Sequence, residues 1–197
     1  MFECEPPTNE IPVRVPLDLV LNRTDDLILW MSGVYVYSTG FVFTVCARER
    51  VGAVVLDMYG FGYPSWDGSS APLLVGIEYA DGTVTSNLPC ERFSTGLEHN
   101  GSASQAGSGW VSYFQHPLPA RGPVRIVTAW PWFSVPEQVV EVDGQVLADA
   151  ATAVETLWPA IPESEPSSGG SDSRVLPLDL EPGGWFDTVA RPAAERD

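Results

Sequence analysis

The chain has 197 residues, enough for one well-buried core with length to spare. Its 26 acidic residues against 10 basic ones leave a formal charge of −16 at pH 7, and every basic residue is Arg. An acidic surface repels phosphate backbones and anionic headgroups, and a chain without Lys has no Schiff-base or P-loop lysine, so neither nucleic acid nor a membrane surface is an expected partner.

Residues 1–10, "MFECEPPTNE", read as a disordered N-terminus; acidic residues stand where a signal peptide needs positive charge and an apolar run. "VPLDLVLNRT" then alternates Val15, Leu17, Leu19 and Leu21 against Pro16, Asp18, Val20 and Asn22, which predicts a half-buried strand, with Pro16 suiting a sheet edge. Asp25 and Asp26 follow as a turn. "LILWM" and "VYVY" are strand-like runs on either side of Ser32-Gly33, where a bulge is expected, and "FVFTVCARER" places Phe41, Phe43, Val45 and Ala47 on one face.

The aromatic segment "DMYGFGYPSWDG" offers Tyr59, Tyr63 and Trp66 as flat faces for a sugar ring or a small ligand, although such a loop more often plugs the end of a sandwich. "LLVGIEYADGTVTSNL" predicts a hairpin turning at Asp81-Gly82. "EHNGSASQAGSG" has little to bury and reads as a mobile polar loop, and "WVSYFQHPLPARGPVRIVTAW" as a second hairpin across its Pro- and Gly-rich middle. In "AWPWF", Trp130, Trp132 and Phe133 are expected in the core, with Trp130-Pro131 a candidate cis bond.

After the short strand "QVVEVDG" the period changes. Val146, Ala150, Val154 and Leu157 predict one face of a helix over about 145–157, capped by Asp143 and stopped by Pro159. Many short strands with one late helix predict an all-β antiparallel β-sandwich, Ig-like or jelly-roll-like, over residues 11–159, with a flattened barrel as the alternative.

From Pro159 the composition shifts to Pro, Ser, Gly and acid, which predicts a disordered linker over 160–174 and a flexible tail over 175–197. That tail regains Leu176, Leu178, Leu180, Trp185 and Phe186, and an inert tail has no need of them. Its "PLDL" repeats the tetrapeptide of residues 16–19 and has the alternation of a strand that could add to a sheet edge.

"VPLDLVLNRTDDL", "GFVFTV", "YADG", "PLPARGPVRIVTAWP" and "VEVDGQVLADAATAVETLWP" together resemble a group of uncharacterised actinobacterial proteins over residues 11–160. The resemblance implies no activity and no site.

The motifs of chemistry are missing by residue type. No Ser has Gly two positions away on both sides, and "GFGYPS" lacks the third glycine of a dinucleotide loop. Cys4, Cys46 and Cys90 match no zinc or redox spacing; Cys90, His99 and His116 could meet only if the chain folds over between them. The sequence therefore predicts no catalytic residue, no metal and no cofactor. It predicts a non-catalytic protein-binding or adaptor module, soluble and cytoplasmic, which meets a protein partner or a second copy through Leu176, Leu178, Leu180, Trp185 and Phe186; the alternative is a carbohydrate or small-ligand site at Tyr59, Tyr63 and Trp66.

Overall fold

The computed structural model describes residues 5–59, 72–88, 96–159 and 180–190. Its strands are β1 (Glu10–Ile11), β2 (Val13–Val15), β3 (Leu19–Arg23), β4 (Leu27–Val36), β5 (Phe41–Glu49), β6 (Leu74–Tyr79), β7 (Val84–Ser86), β8 (Gly96–Gln105), β9 (Ser108–His116), β10 (Pro123–Trp130), β11 (Val135–Asp143) and β12 (Glu155–Thr156), with helices α1 (Gly144–Ala151) and α2 (Trp185–Ala190). One sheet has the order β2-β4-β5-β9-β8, with β3 also on β4, and faces a four-stranded sheet of order β11-β10-β6-β7. All of these pairings are antiparallel. The fold is the all-β sandwich that the strand pattern predicts.

Alternation decides which residues fill it. Leu29, Met31, Phe43, Val45, Val111 and Tyr113 of the larger sheet meet Val75, Ile77, Ile126 and Trp130 of the smaller one in a single apolar core. At one side Asn22 of β3, itself buried, donates from Nδ2 to the Pro136 carbonyl at 2.7 Å and ties the sheets together. Helix α1 packs on β2, β4 and β10 and closes an end of the sandwich with Leu147.

Several local expectations are refined. The run "VPLDLVLNRT" is two strands, broken over the first "PLDL", and both lie on the same edge of β4. The Ser32-Gly33 irregularity is a bulge within the single strand β4, where Gly33 takes φ +65°. Gly82, at φ +84°, turns the β6–β7 hairpin, and the Asp81 carboxylate accepts from Thr83 N at 2.9 Å. That bond, with others from Thr83, holds Asp81 below the ordinary carboxylate range.

Other expectations are corrected. The "mobile loop" of residues 98–109 is mostly β8, an edge strand paired to β9 along its length; its small polar residues face solvent and so show no alternation. The second hairpin is a crossover between sheets, because β9 pairs with β5 and β10 with β6, and the cis bond lies at His116-Pro117. Trp130 is buried and Phe133 packs on it at 4.5 Å, but Trp132 is exposed. Helix α1 stops at Ala151, shorter than the predicted 145–157, and buries Leu147 while Val146 and Leu157 stay exposed, because the chain turns away into β12 to pair with β1. That pairing also places Glu10 in a strand, so the ordered chain begins ahead of residue 11.

Candidate functional site

The outer face of the four-stranded sheet is built from alternate residues of its strands. Leu74, Gly76 and Glu78 of β6 lie beside Arg125, Val127 and Ala129 of β10, in the register Ala129–Leu74, Val127–Gly76 and Arg125–Glu78. Val127 pairs on its other side with Val139 of β11. The result is an apolar strip bordered by charge. Arg125 donates to the Glu78 carboxylate at 2.7 Å, and both side chains are only partly exposed.

Residues 180–190 of the chain occupy this strip. "EPGG" makes a turn in which Gly184 N donates to the Glu181 carbonyl at 2.9 Å and Gly183 takes φ +78°, as the third residue of a type II turn requires. The turn delivers Trp185 and Phe186 to the sheet at the start of α2. Phe186 is 2% exposed and joins Leu74, Leu88, Val127 and Ala129 in a second apolar cluster, with Leu180 and Trp185 packed against it.

Polar contacts fix the register of the docked segment. The Glu137 carboxylate accepts from Trp185 N at 2.7 Å and from Phe186 N at 3.2 Å, satisfying first-turn N–H groups of α2 from another part of the chain. The Trp185 indole donates to Glu78 at 3.1 Å, the same oxygen that Arg125 holds. Gly76 makes the close approach possible: a Cβ there would lie 2.4 Å from Trp185 Cζ3. A cavity of about 370 Å³ remains beside the segment, lined in part by Leu74, Val135, Glu137, Leu180 and Phe186.

Of the tail residues singled out from sequence, Leu180, Trp185 and Phe186 thus lie together on the chain's own sheet, and Leu176 and Leu178 lie outside the described residues. Glu78, Arg125 and Glu137 were not legible as partners, because a strand carboxylate looks like any solvated charge. Gly76 did carry a signal, since an isolated Gly inside a strand marks a close approach of another group.

Of the three aromatic residues singled out as a ligand site, one lies among the described residues. Tyr59 is partly buried, with its ring 3.8 Å from that of His99, while Tyr63 and Trp66 lie outside the described residues. His99 stands next to buried Tyr113, whose hydroxyl receives Asn87 Nδ2 at 3.0 Å. Burial lowers the His99 pKa and raises that of Tyr113, so both are held neutral at pH 7.

The two histidines do not converge. His99 pairs with Tyr113 and faces the core side, whereas His116 lies three residues on in β9 and faces the opposite side, stacked on Phe114 at 5.7 Å and lying over Gly96. Cys90 lies outside the described residues. Asp25 and Asp26 form the tip of the β3–β4 hairpin, where Thr24 N donates to the Leu27 carbonyl at 2.8 Å and Asp26 makes an exposed ion pair with Arg50. Among the described residues, no three His, Cys, Asp or Glu side chains gather as metal ligands.

Fold and site together define a β-sandwich that carries a peptide-like segment of its own chain in an outer-face groove. The chain matches no family model, no curated protein and no solved structure.

Proposed function

We propose that this protein is a non-catalytic protein-binding module that reads a short apolar peptide on the outer face of its four-stranded sheet, with its own tail as the resident occupant. The observation that carries this reading is the set of contacts around Trp185. Its main-chain N–H is held by Glu137, its indole N–H by Glu78, and its ring lies against a glycine. An apolar segment that only covered a greasy face would need shape alone; donors matched to two separate carboxylates are the features of a recognition site.

Those carboxylates favour a peptide with free main-chain N–H groups and an indole, and disfavour an acidic one. The acidic balance of the chain supports a protein partner over nucleic acid or membrane, and among the described residues no helix is long and apolar enough to cross a membrane. The proposed cytoplasmic location rests on the acidic N-terminal residues, which lack the positive charge and apolar run of a signal peptide.

The test uses residues 1–159 and a synthetic peptide of residues 176–190. Saturable binding is expected, weakened at least tenfold when the peptide carries Phe186→Ala. A folded 1–159 that ignores the unsubstituted peptide would refute the groove.

A further inference from the structure

The opposite outer face, on the larger sheet, carries a second constellation. Trp30, Cys46, Trp110 and Ala103 form one row across β4, β5, β9 and β8, in the register Trp30–Cys46, Cys46–Trp110 and Ala103–Trp110. The next row is Ile28, Arg48, Ser108 and Gln105. All eight side chains share the solvent face, because they are two residues apart on each strand.

Both tryptophans line one cavity on this face. Strands lie about 4.8 Å apart, so the two tryptophans stand about 10 Å apart across Cys46. Between them is a cavity of about 300 Å³, lined also by Arg48, Ser104, Gln105 and Ser108. That is the small end of ligand sites, suited to one or two rings and too short for an extended peptide. Trp110 is 40% exposed although it lies beside Gly101, so its indole is offered to solvent.

Chemistry narrows the occupant. Burial raises the pKa of Cys46, which leaves a neutral thiol as an apolar floor. Gln105 Nε2 donates to Ser108 Oγ at 2.7 Å, leaving the amide oxygen and the serine proton for a ligand. The exposed Arg48 forms no ion pair among the described residues, in a chain with 26 acidic residues. Indole faces fit the C–H faces of a pyranose, the Ser and Gln groups fit its hydroxyls, and an unpaired guanidinium fits a carboxylate.

We propose that Trp30, Trp110 and Arg48 form a binding site for an acidic sugar, a hexopyranose ring carrying a carboxylate. The site is separate from the tail groove, on the other sheet, and does not depend on it.

The experiment titrates the full-length chain with sodium glucuronate and, separately, glucose, following the indole N–H resonances by NMR. Glucuronate should shift Trp30 and Trp110 saturably and slow the alkylation of Cys46 by iodoacetamide. Arg48→Gln should weaken glucuronate binding at least tenfold and leave any glucose response unchanged. Trp110→Ala should abolish the effect, with Cys46 protection in the unsubstituted chain as the readout if that variant folds poorly. Phe186→Ala, which disrupts only the tail groove, should bind glucuronate as before. The proposal is overturned if glucuronate produces no saturable shift, if glucose binds as well as glucuronate, or if Arg48→Gln changes nothing.

Discussion

Trp185 lies against the main chain of Gly76, with no room for even one methyl group between them. The contact joins a segment near the C-terminal end to the middle of β6, and β6 is a central strand of its sheet. Gly76→Ala should therefore expel the tail while leaving the sandwich folded, because the added Cβ points to the outer face. The expected signature is a red shift of Trp emission and new protease sensitivity confined to residues 180–190, with a melting temperature within a few degrees of the parent. Loss of the whole fold would show that Gly76 serves the core.

Phe186→Ala attacks the same docking through packing. Truncating a buried Phe costs about 3–5 kcal/mol where the surroundings cannot collapse, and here the tail can detach, so the loss should appear as release rather than unfolding. Glu137→Gln should act in the same direction and more weakly, since an amide oxygen still accepts one of the two N–H groups now held at 2.7 and 3.2 Å. Hydrogen exchange of the Trp185 and Phe186 amides measures both.

An occupant on the same chain competes at a high effective concentration, on the order of millimolar for a short tether. A free peptide of residues 176–190 should therefore bind residues 1–159 far more tightly than it binds the full chain, by about 10²-fold or more. Calorimetry on the two proteins side by side gives the ratio, and equal affinities would mean that the tail does not occupy the groove in solution.

His99 makes the sandwich sensitive to acid. Desolvation lowers its pKa in the folded state below the unfolded value of about 6.5. Between the two values the unfolded chain binds more protons than the folded one, so this contribution to stability is present above about pH 6.5 and is lost as pH falls through the folded pKa. His99→Gln should flatten that part of the curve of melting temperature against pH between 7.5 and 5, relative to the parent. A parallel pair of curves would remove His99 as the cause.

Asn22 is buried and donates to a carbonyl in the opposite sheet. Asn22→Ala leaves the Pro136 carbonyl without this donor and should cost about 1–3 kcal/mol, read from urea unfolding. Asn22→Asp should cost more, because a carboxylate cannot donate there.

Much of the fold was legible because alternation is a local property. Phe41, Phe43, Val45 and Ala47 announce a buried strand face whatever lies opposite, and Gly82 announces its turn. The elements that pattern does not reveal share one cause. β8 reads as a loop in sequence because an edge strand with a solvated face needs no apolar residues, and the sequence overextends α1 because Val154 and Leu157 keep helical spacing although the helix ends at Ala151. The exposure of aromatic rings is not legible for a related reason. Ring content is visible in sequence, but whether a ring is covered depends on its neighbours: Tyr59 lies against His99, whereas Trp30 and Trp110, unremarkable within their own strands, share a row across the sheet.

The repeated "PLDL" shows where the division falls. By itself the sequence determined the strand-rich class, the turn at Asp81-Gly82, the acidic balance of the chain and the return of apolar residues near its C-terminal end, all of them properties of neighbouring residues. The first copy proves to be the break between β2 and β3 at a sheet edge, and only Leu180 of the second copy lies among the described residues, packed beside Trp185 and Phe186. Only the tertiary structure decided that Trp185 belongs on Gly76 and between Glu78 and Glu137, because those partners are far apart in the chain and no local pattern encodes a contact between a terminal helix and the face of a distant sheet.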